Sequence, residues 1–331
     1  MKVLKILGVV LLVVVVLAIG AGTYMKTVLP KAGEVPVITI ERTAARIERG
    51  KYLANHVTVC MDCHSTRDYT YFAAPLAAGN FGGGGEVFSR DMGFPGVFIA
   101  PNITPYALKS WTDGEILHAI TTGVNKQGKA LFPLMGWHRF GKMDKEDIYS
   151  IIAYIRTLPA VKNDVPPSEA DFPVSFLLNT MPKPADFHPI PSPSELVKYG
   201  GYIVNAAGCV DCHSQTDKGA IIEGTEFSGG MEFKQPNGIM RSPNITFDKE
   251  TGIGKWTESV FVDKFTAYAD AGYKKKELLP GELNSPMPWT MYGGMKQADL
   301  KAIYAYLSSI KPIEHEVVRM EKGKNGSDPA P

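Results

Sequence analysis

Two short segments carry every cysteine of the chain. Cys60-Met61-Asp62-Cys63-His64 and Cys209-Val210-Asp211-Cys212-His213 are both C-x-x-C-H. This is the attachment pattern of c-type haem. Two thiols at i and i+3 lie on one face of a helical turn, where each can add to a vinyl group of one porphyrin. The histidine that follows then lies beneath the ring, as the proximal ligand of the iron. The spacing therefore predicts two covalently bound haem c groups, on Cys60 and Cys63 with His64, and on Cys209 and Cys212 with His213. Other chemistries fit less well. A structural zinc site pairs its half-motifs within one small module, and these lie 149 residues apart. A thioredoxin-like dithiol needs a βαβ context that the chain lacks. Disulfides stay open in an oxidising compartment.

The two motifs belong to a longer internal repeat. Gly50 to Leu53 precedes the first motif, and Gly201 to Val204 the second. Phe81-Gly82-Gly83-Gly84-Gly85-Glu86 answers Phe227-Ser228-Gly229-Gly230-Met231-Glu232. Pro101-Asn102-Ile103-Thr104 answers Pro243-Asn244-Ile245-Thr246, and Trp111-Thr112 answers Trp256-Thr257. Pro133-Leu134-Met135-Gly136-Trp137 then answers Ser285-Pro286-Met287-Pro288-Trp289. From Met143/Met295 to Tyr154/Tyr306 the offset holds at 152. A sixth iron ligand is expected at equivalent places, and Met135 and Met287 meet that test. Met/His ligation raises the potential of a haem and leaves no open coordination position. Met143 and Met295 are paired too, and read as core. His56, His118, His138, His188 and His315 have no repeat partner, so bis-His ligation is not favoured. His138, three residues after Met135, is the one that could compete with it.

The elements around these residues follow from pattern. Asp144 reads as an N-cap of a helix with Ile148, Ile151, Ile152, Ile155 and Leu158 at helical spacing, stopped by Pro159. Leu300, Ile303, Tyr304, Leu307 and Ile310 repeat the stripe before Pro312. Ser192-Pro193-Ser194-Glu195 has the form of an N-cap, Pro at N1 and a capping-box Glu. Gly50 and Gly200 are small enough to let the helix before each motif cross the last helix closely. Gly82 to Gly85 lacks the G-K-[ST] of a phosphate loop, and reads as a turn against the haem edge.

At the N-terminus, Ile6 to Met25 is 20 residues without a charge, between Lys2, Lys5 and Lys26. Twenty helical residues span roughly 30 Å, a bilayer core. A signal peptide's apolar region is shorter, about 7–15 residues, and only Ala18-Ile19-Gly20 imitates a cleavage site. An uncleaved anchor is expected, with Lys2 and Lys5 on the cytoplasmic side. Membrane lipid is then one partner, and the haem domains lie on the periplasmic, outer side. The 331 residues carry 35 Lys+Arg against 34 Asp+Glu, a net charge of +1. That balance leaves no electrostatic footprint for nucleic acid. The repeat predicts two tandem units, each with its own haem, behind one transmembrane helix. Residues 1–27 are the anchor, 42–160 and 192–312 the domains. Residues 161–191 are a Pro-rich linker whose Phe172, Phe176, Leu177, Leu178 and Phe187 need cover, and 313–331 are a flexible tail.

Ser242-Pro243-Asn244-Ile245-Thr246, Thr251-Gly252-Ile253-Gly254-Lys255-Trp256-Thr257 and Met287-Pro288-Trp289 before Asp299-Leu300-Lys301-Ala302-Ile303-Tyr304 resemble the cytochrome c subunits of membrane-bound alcohol and gluconate dehydrogenases. The resemblance covers about residues 42–160 and 192–312. It implies an all-α fold, with two tandem cytochrome c domains behind the transmembrane helix, and electron transfer from a dehydrogenase towards quinone or a terminal oxidase. This chain has two haem units where those subunits have three, and Gly136 where Pro is usual. The expected function is a membrane-anchored di-haem cytochrome c that relays electrons between a respiratory or dehydrogenase donor and a terminal acceptor. It is expected to be an electron-transfer protein or a subunit of an oxidoreductase complex, not an independent enzyme. Its expected partners are a dehydrogenase, a quinol-oxidising complex or a terminal oxidase. The alternatives are a di-haem peroxidase, which needs a vacant iron position, and a permanent di-haem subunit of a respiratory oxidase.

Overall fold

In a computed structural model, residues 2–323 are described. The chain is helix-rich, with 40% of its residues helical. Helix α1, Lys2–Thr27, has the length and composition to cross a membrane, and its apolar stretch is not buried. A signal segment shares both properties.

The chain divides into two compact units. The smaller combines Met1–Thr39, Trp111–Lys142 and Glu169–Asp186, and the larger combines Ile40–Ser110, Met143–Ser168 and Phe187–Pro331. These divisions cut across the repeat halves rather than along them. In the smaller unit, helix Asp113–Thr122 opens with a complete capping box between Thr112 and Glu115 and ends at Gly123, whose φ is 80°. A Cβ at Gly123 would stand 2.6 Å from the Trp137 ring, so only glycine allows the buried indole to seat there. The linker segment runs beside α1: Asn179 Nδ2 donates to Met25 O at 3.3 Å. Leu178 is covered as expected, but Phe172 is 85% exposed and Leu177 43%.

The larger unit holds two helix pairs built alike. Helix α2, Ala44–Tyr52, leads to the first C-x-x-C-H, whose cysteines form α3, Cys60–Cys63. It packs on α4, Lys145–Ile155, which is capped by Asp144. Helix α5, Leu196–Ala207, leads to α6, Cys209–Cys212, and packs on α7, Gln297–Ser309. A Cβ on Gly50 would lie 1.8 Å from Ser150 O, and one on Gly200 1.9 Å from Ala302 O. The glycines thus set backbone against backbone at both crossings, as the sequence suggested. Ile148, Ile151, Ile152 and Ile155 are buried in one pair, and Leu300, Ile303 and Leu307 in the other.

Two features differ from the sequence reading. The expected all-α fold also carries short strands. Val87–Phe88 pairs with Gly96–Ile99, Thr216–Asp217 with Ala220–Ile221, and Glu232–Gln235 with Gly238–Arg241. Met320–Lys322 then lies along Gly238–Met240, which orders the described part of the expected tail to Gly323. Arg241 fastens it, bonding both Glu232 and Glu321. Residues 324–331 of that tail lie outside the described residues. The second difference is at Ser192–Glu195, which forms a turn rather than a cap. Helix α5 starts three residues after the expected Pro193, at Leu196, and the Glu195 carboxylate accepts from Lys198 Nζ at 2.5 Å.

The two approaches to the cysteines differ by one residue. Tyr52 precedes Cys60 by eight positions, whereas Tyr202 precedes Cys209 by seven. The extra residue is absorbed in a π-helical turn, Leu53–Val57, the form a one-residue insertion takes in a helix. Both approaches end on a left-handed residue, Gly208 at φ 71° and Val59 at φ 45°.

Candidate haem sites

Each C-x-x-C-H is one helical turn, and each is held by the same set of backbone bonds. His64 Nδ1 meets Pro101 O at 2.7 Å, and His213 Nδ1 meets Pro243 O at 2.9 Å. A carbonyl can only accept, so Nδ1 carries the proton and donates. Nε2 is left as the lone-pair nitrogen, with no hydrogen-bond partner among the described residues. Burial lowers the basicity of both imidazoles, opposed by the proline carbonyl. Both rings are therefore neutral, which is the form that binds a metal.

The proline carbonyls are positioned by the repeated Pro-Asn-Ile-Thr. Asn102 Oδ1 accepts from the Thr104 N–H at 2.9 Å and the Thr104 hydroxyl at 2.8 Å. Asn244 does the same with Thr246, at the same distances. Their amides donate outwards, Asn102 to Val161 O and Asn163 O, and Asn244 to Ile313 O and Thr251 Oγ1. The glycine run closes the loop. The Gly84 N–H donates to His64 O, and the Gly229 N–H to His213 O. A Cβ on Gly84 would lie 2.5 Å from Asn102 N, and one on Gly229 2.4 Å from Pro243 C. The glycine turn thus packs on the Pro-Asn peptide. Ser65 and Ser214 fix its first limb, accepting from the Gly82 and Phe227 N–H groups.

These bonds recur at every equivalent position, and sequence reasoning assigned no role to the prolines, asparagines or serines in them. The signal was their recurrence. A backbone acceptor leaves no other trace in a sequence.

None of the four cysteines is in a disulfide. Burial pushes the Cys63 thiol up to about 12. Among the described residues no three His, Cys, Asp or Glu side chains converge as a metal site. Thiols on one turn, a neutral histidine with a free Nε2 directed by a locked Nδ1 and, at the first motif, the buried, unpartnered Asn55 Oδ1 eight residues before Cys63 suit a large attached group. The first motif carries a buried charge cluster. Arg67 bonds Asp62 at 3.0 Å and Glu86 at 3.3 Å, and the Tyr69 hydroxyl donates to Glu86. Burial, opposed by Arg67, raises Asp62 to about 6.

Met287 lies in the irregular loop ahead of Trp289–Tyr292, in the same unit as Cys209, Cys212 and His213. Met135 ends the 3₁₀ turn Pro133–Met135 and belongs to the smaller unit. Both are half-buried, whereas Met143 and Met295 are fully packed in the core, as read from the sequence. His138 is exposed, and His118 is buried with both ring nitrogens facing carbonyls, Val124 O and Gly33 O. His56 Nδ1 meets Met291 O at 2.8 Å, and His315 Nδ1 meets Ser228 O at 2.9 Å.

No family model matches the chain. The cytochrome c subunit of a quinone alcohol dehydrogenase from Gluconacetobacter polyoxogenes is 26% identical over 299 residues, covering 85% of this chain and 59% of that protein. A gluconate 2-dehydrogenase cytochrome c subunit from Pantoea cypripedii is 38% identical over 120 residues, 36% of this chain and 24% of its own. A diheme cytochrome c-type protein from Cereibacter sphaeroides is 24% identical over 273 residues, 77% of this chain and 83% of its own. The chain spans about three fifths of the length of the alcohol dehydrogenase subunit it matches. The likeness read from the Pro-Asn-Ile-Thr segments thus extends over most of the chain, to cytochrome c subunits of alcohol and fructose dehydrogenases and to a diheme cytochrome c-type protein.

Proposed function

We propose that this chain is a di-haem cytochrome c, anchored in the cytoplasmic membrane by α1, that relays electrons from a dehydrogenase or quinol-oxidising donor to a terminal acceptor. The observation that carries this reading is the doubled arrangement of C-x-x-C-H with His Nδ1 locked on a proline carbonyl. Cys60 and Cys63 hold one haem and Cys209 and Cys212 the other. His64 and His213 present Nε2 to the irons, and Met135 and Met287 supply the sixth ligands. The haem supplies a one-electron couple at its iron. The protein's part is to fix both axial ligands and to keep water from the ring, which holds the potential high. Tandem domains at 42–160 and 192–312, linked by 161–191, follow the repeat. The dehydrogenase partner rests on the names of the relatives, and the outer location on Lys2 and Lys5 in the first turn of α1.

The test is an optical and EPR spectrum of the membrane-extracted protein, oxidised and reduced, with a haem stain on a denaturing gel. Two covalent, low-spin haems with methionine–iron absorption are expected. A high-spin haem that binds added peroxide would replace the relay with a peroxidase.

A further inference from the structure

Two tyrosines cross between the repeat halves. Tyr52, at the end of α2, donates to the Asp299 carboxylate at 2.5 Å and accepts from the Lys296 N–H at 3.1 Å. Tyr202, in α5, donates to the Asp147 carboxylate at 2.6 Å and accepts from the Asp144 N–H at 3.2 Å. Asp147 and Asp299 are equivalent positions of the repeat, as are Asp144 and Lys296, and Tyr52 and Tyr202. The helix that leads to each C-x-x-C-H is thus bonded to the start of the last helix of the other half. Tyr52, Tyr202, Asp147 and Asp299 are all buried.

The exchange is reciprocal in the tyrosines and unequal around the carboxylates. Asp147 also takes a bidentate pair from Arg49, at 2.8 and 2.7 Å. Asp299 instead takes the Tyr199 hydroxyl at 2.9 Å. Tyr199 occupies the repeat position of Arg49. One clamp therefore holds an ion pair, and the other a carboxylate between two phenols.

We propose that Tyr52 and Tyr202 are positioning residues that fix the two haem-attachment helices in one geometry, so that electron exchange between the haems depends on them. The inference rests on the di-haem reading above. Each tyrosine lies within eight residues of the first cysteine of its motif and is tied to a helix of the opposite half. A loosened tie therefore moves one attachment turn against the other. Transfer between fixed redox centres falls steeply with separation, and small misplacements are costly in rate.

The experiment uses the full chain in detergent, as wild type and as the Tyr52→Phe/Tyr202→Phe double variant. Pulsed EPR reads the iron–iron dipolar coupling, injected-electron kinetics read the exchange, and denaturant unfolding reads cooperativity. The double variant is expected to keep wild-type optical spectra and haem content, with a broadened dipolar distribution. Its exchange should slow by about tenfold or more, on the scale that such misplacements cost, and its unfolding should split into two transitions. An unchanged distribution with a single transition overturns the inference. If the double variant does not accumulate, Asp299→Asn carries the same measurements with the carboxylate's charge removed and its shape kept. Absence of haem in the wild type would defeat the relay reading and the electron exchange that rests on it, while the unfolding transitions would still decide separately whether the tyrosines join the halves.

Discussion

His64 and His213 owe their usable nitrogen to a proline carbonyl, and that carbonyl owes its place to a glycine. Substituting Gly229→Ala puts a methyl group 2.4 Å from the Pro243 carbonyl carbon, at a φ of 75°. The strain and the displaced peptide are expected to cost about 2–3 kcal/mol in urea unfolding. Haem content per chain should fall with it, since His213 loses its acceptor. Met287→Ala is a separate test of the opposite axial side. It is expected to lower the second haem's potential in a redox titration and to open that iron to carbon monoxide, leaving the first unchanged. An unaltered potential would pass the role to another methionine. At this scale the sequence was legible for side chains whose type is the chemistry. Cysteine and histidine spacing marked the candidate attachment residues; the repeat paired Met143 with Met295 as it paired Met135 with Met287, and the reading of Met143 and Met295 as core agrees with their burial. The proline carbonyls were invisible, because every residue carries the same acceptor.

The helices that flank the motifs were legible for a different reason. Their isoleucine and leucine stripes have one period and one possible burial face, and Asp144 caps its helix as its type implies. Ser192 and Glu195 have the type of a capping box, yet the helix begins beyond them, because the Glu195 carboxylate is bonded to Lys198 instead. The strands were not legible: those of two to four residues are too short to show alternation, and Met320–Lys322 pairs with a strand about 80 positions earlier, beyond local pattern. The helix pairs also predict an alkaline response. Burial, reinforced by Asp299, pushes Tyr199 up to about 12, and burial raises Tyr52 and Tyr202 as well. The fold thus favours the protonated phenols. Their contribution is complete below the ordinary tyrosine value of about 10 and is lost as pH rises from there through the folded values. Urea midpoints should therefore fall between about pH 10 and 12, and Tyr199→Phe should flatten part of that fall. A midpoint equally steep in the variant would remove Tyr199 from the account.

The whole molecule answers to two plans. The repeat divides it by ancestry of sequence, at the linker, while compactness gathers Trp111–Lys142 with α1 and the linker's Glu169–Asp186. Packing of that kind is decided by which surfaces meet, and no periodicity records it. Membrane attachment belongs to this scale. Helix α1 is expected to remain on the mature protein, so intact mass should include residues 1–27, and the haem protein should stay with membranes through an alkaline carbonate wash. A mass lacking that segment, with the protein in the wash, would identify a cleaved signal. The crossed tyrosines carry a further consequence for assembly. Each half offers an acceptor that the other half fills, so two chains can satisfy the same four hydrogen bonds by trading halves. What keeps the exchange within one chain is the linker, which holds the second half near the first at an effective concentration on the order of millimolar. A linker cut too short to span that distance should yield a swapped dimer with every clamp intact and an unchanged haem spectrum, of twice the mass of the species in which one chain satisfies all four bonds.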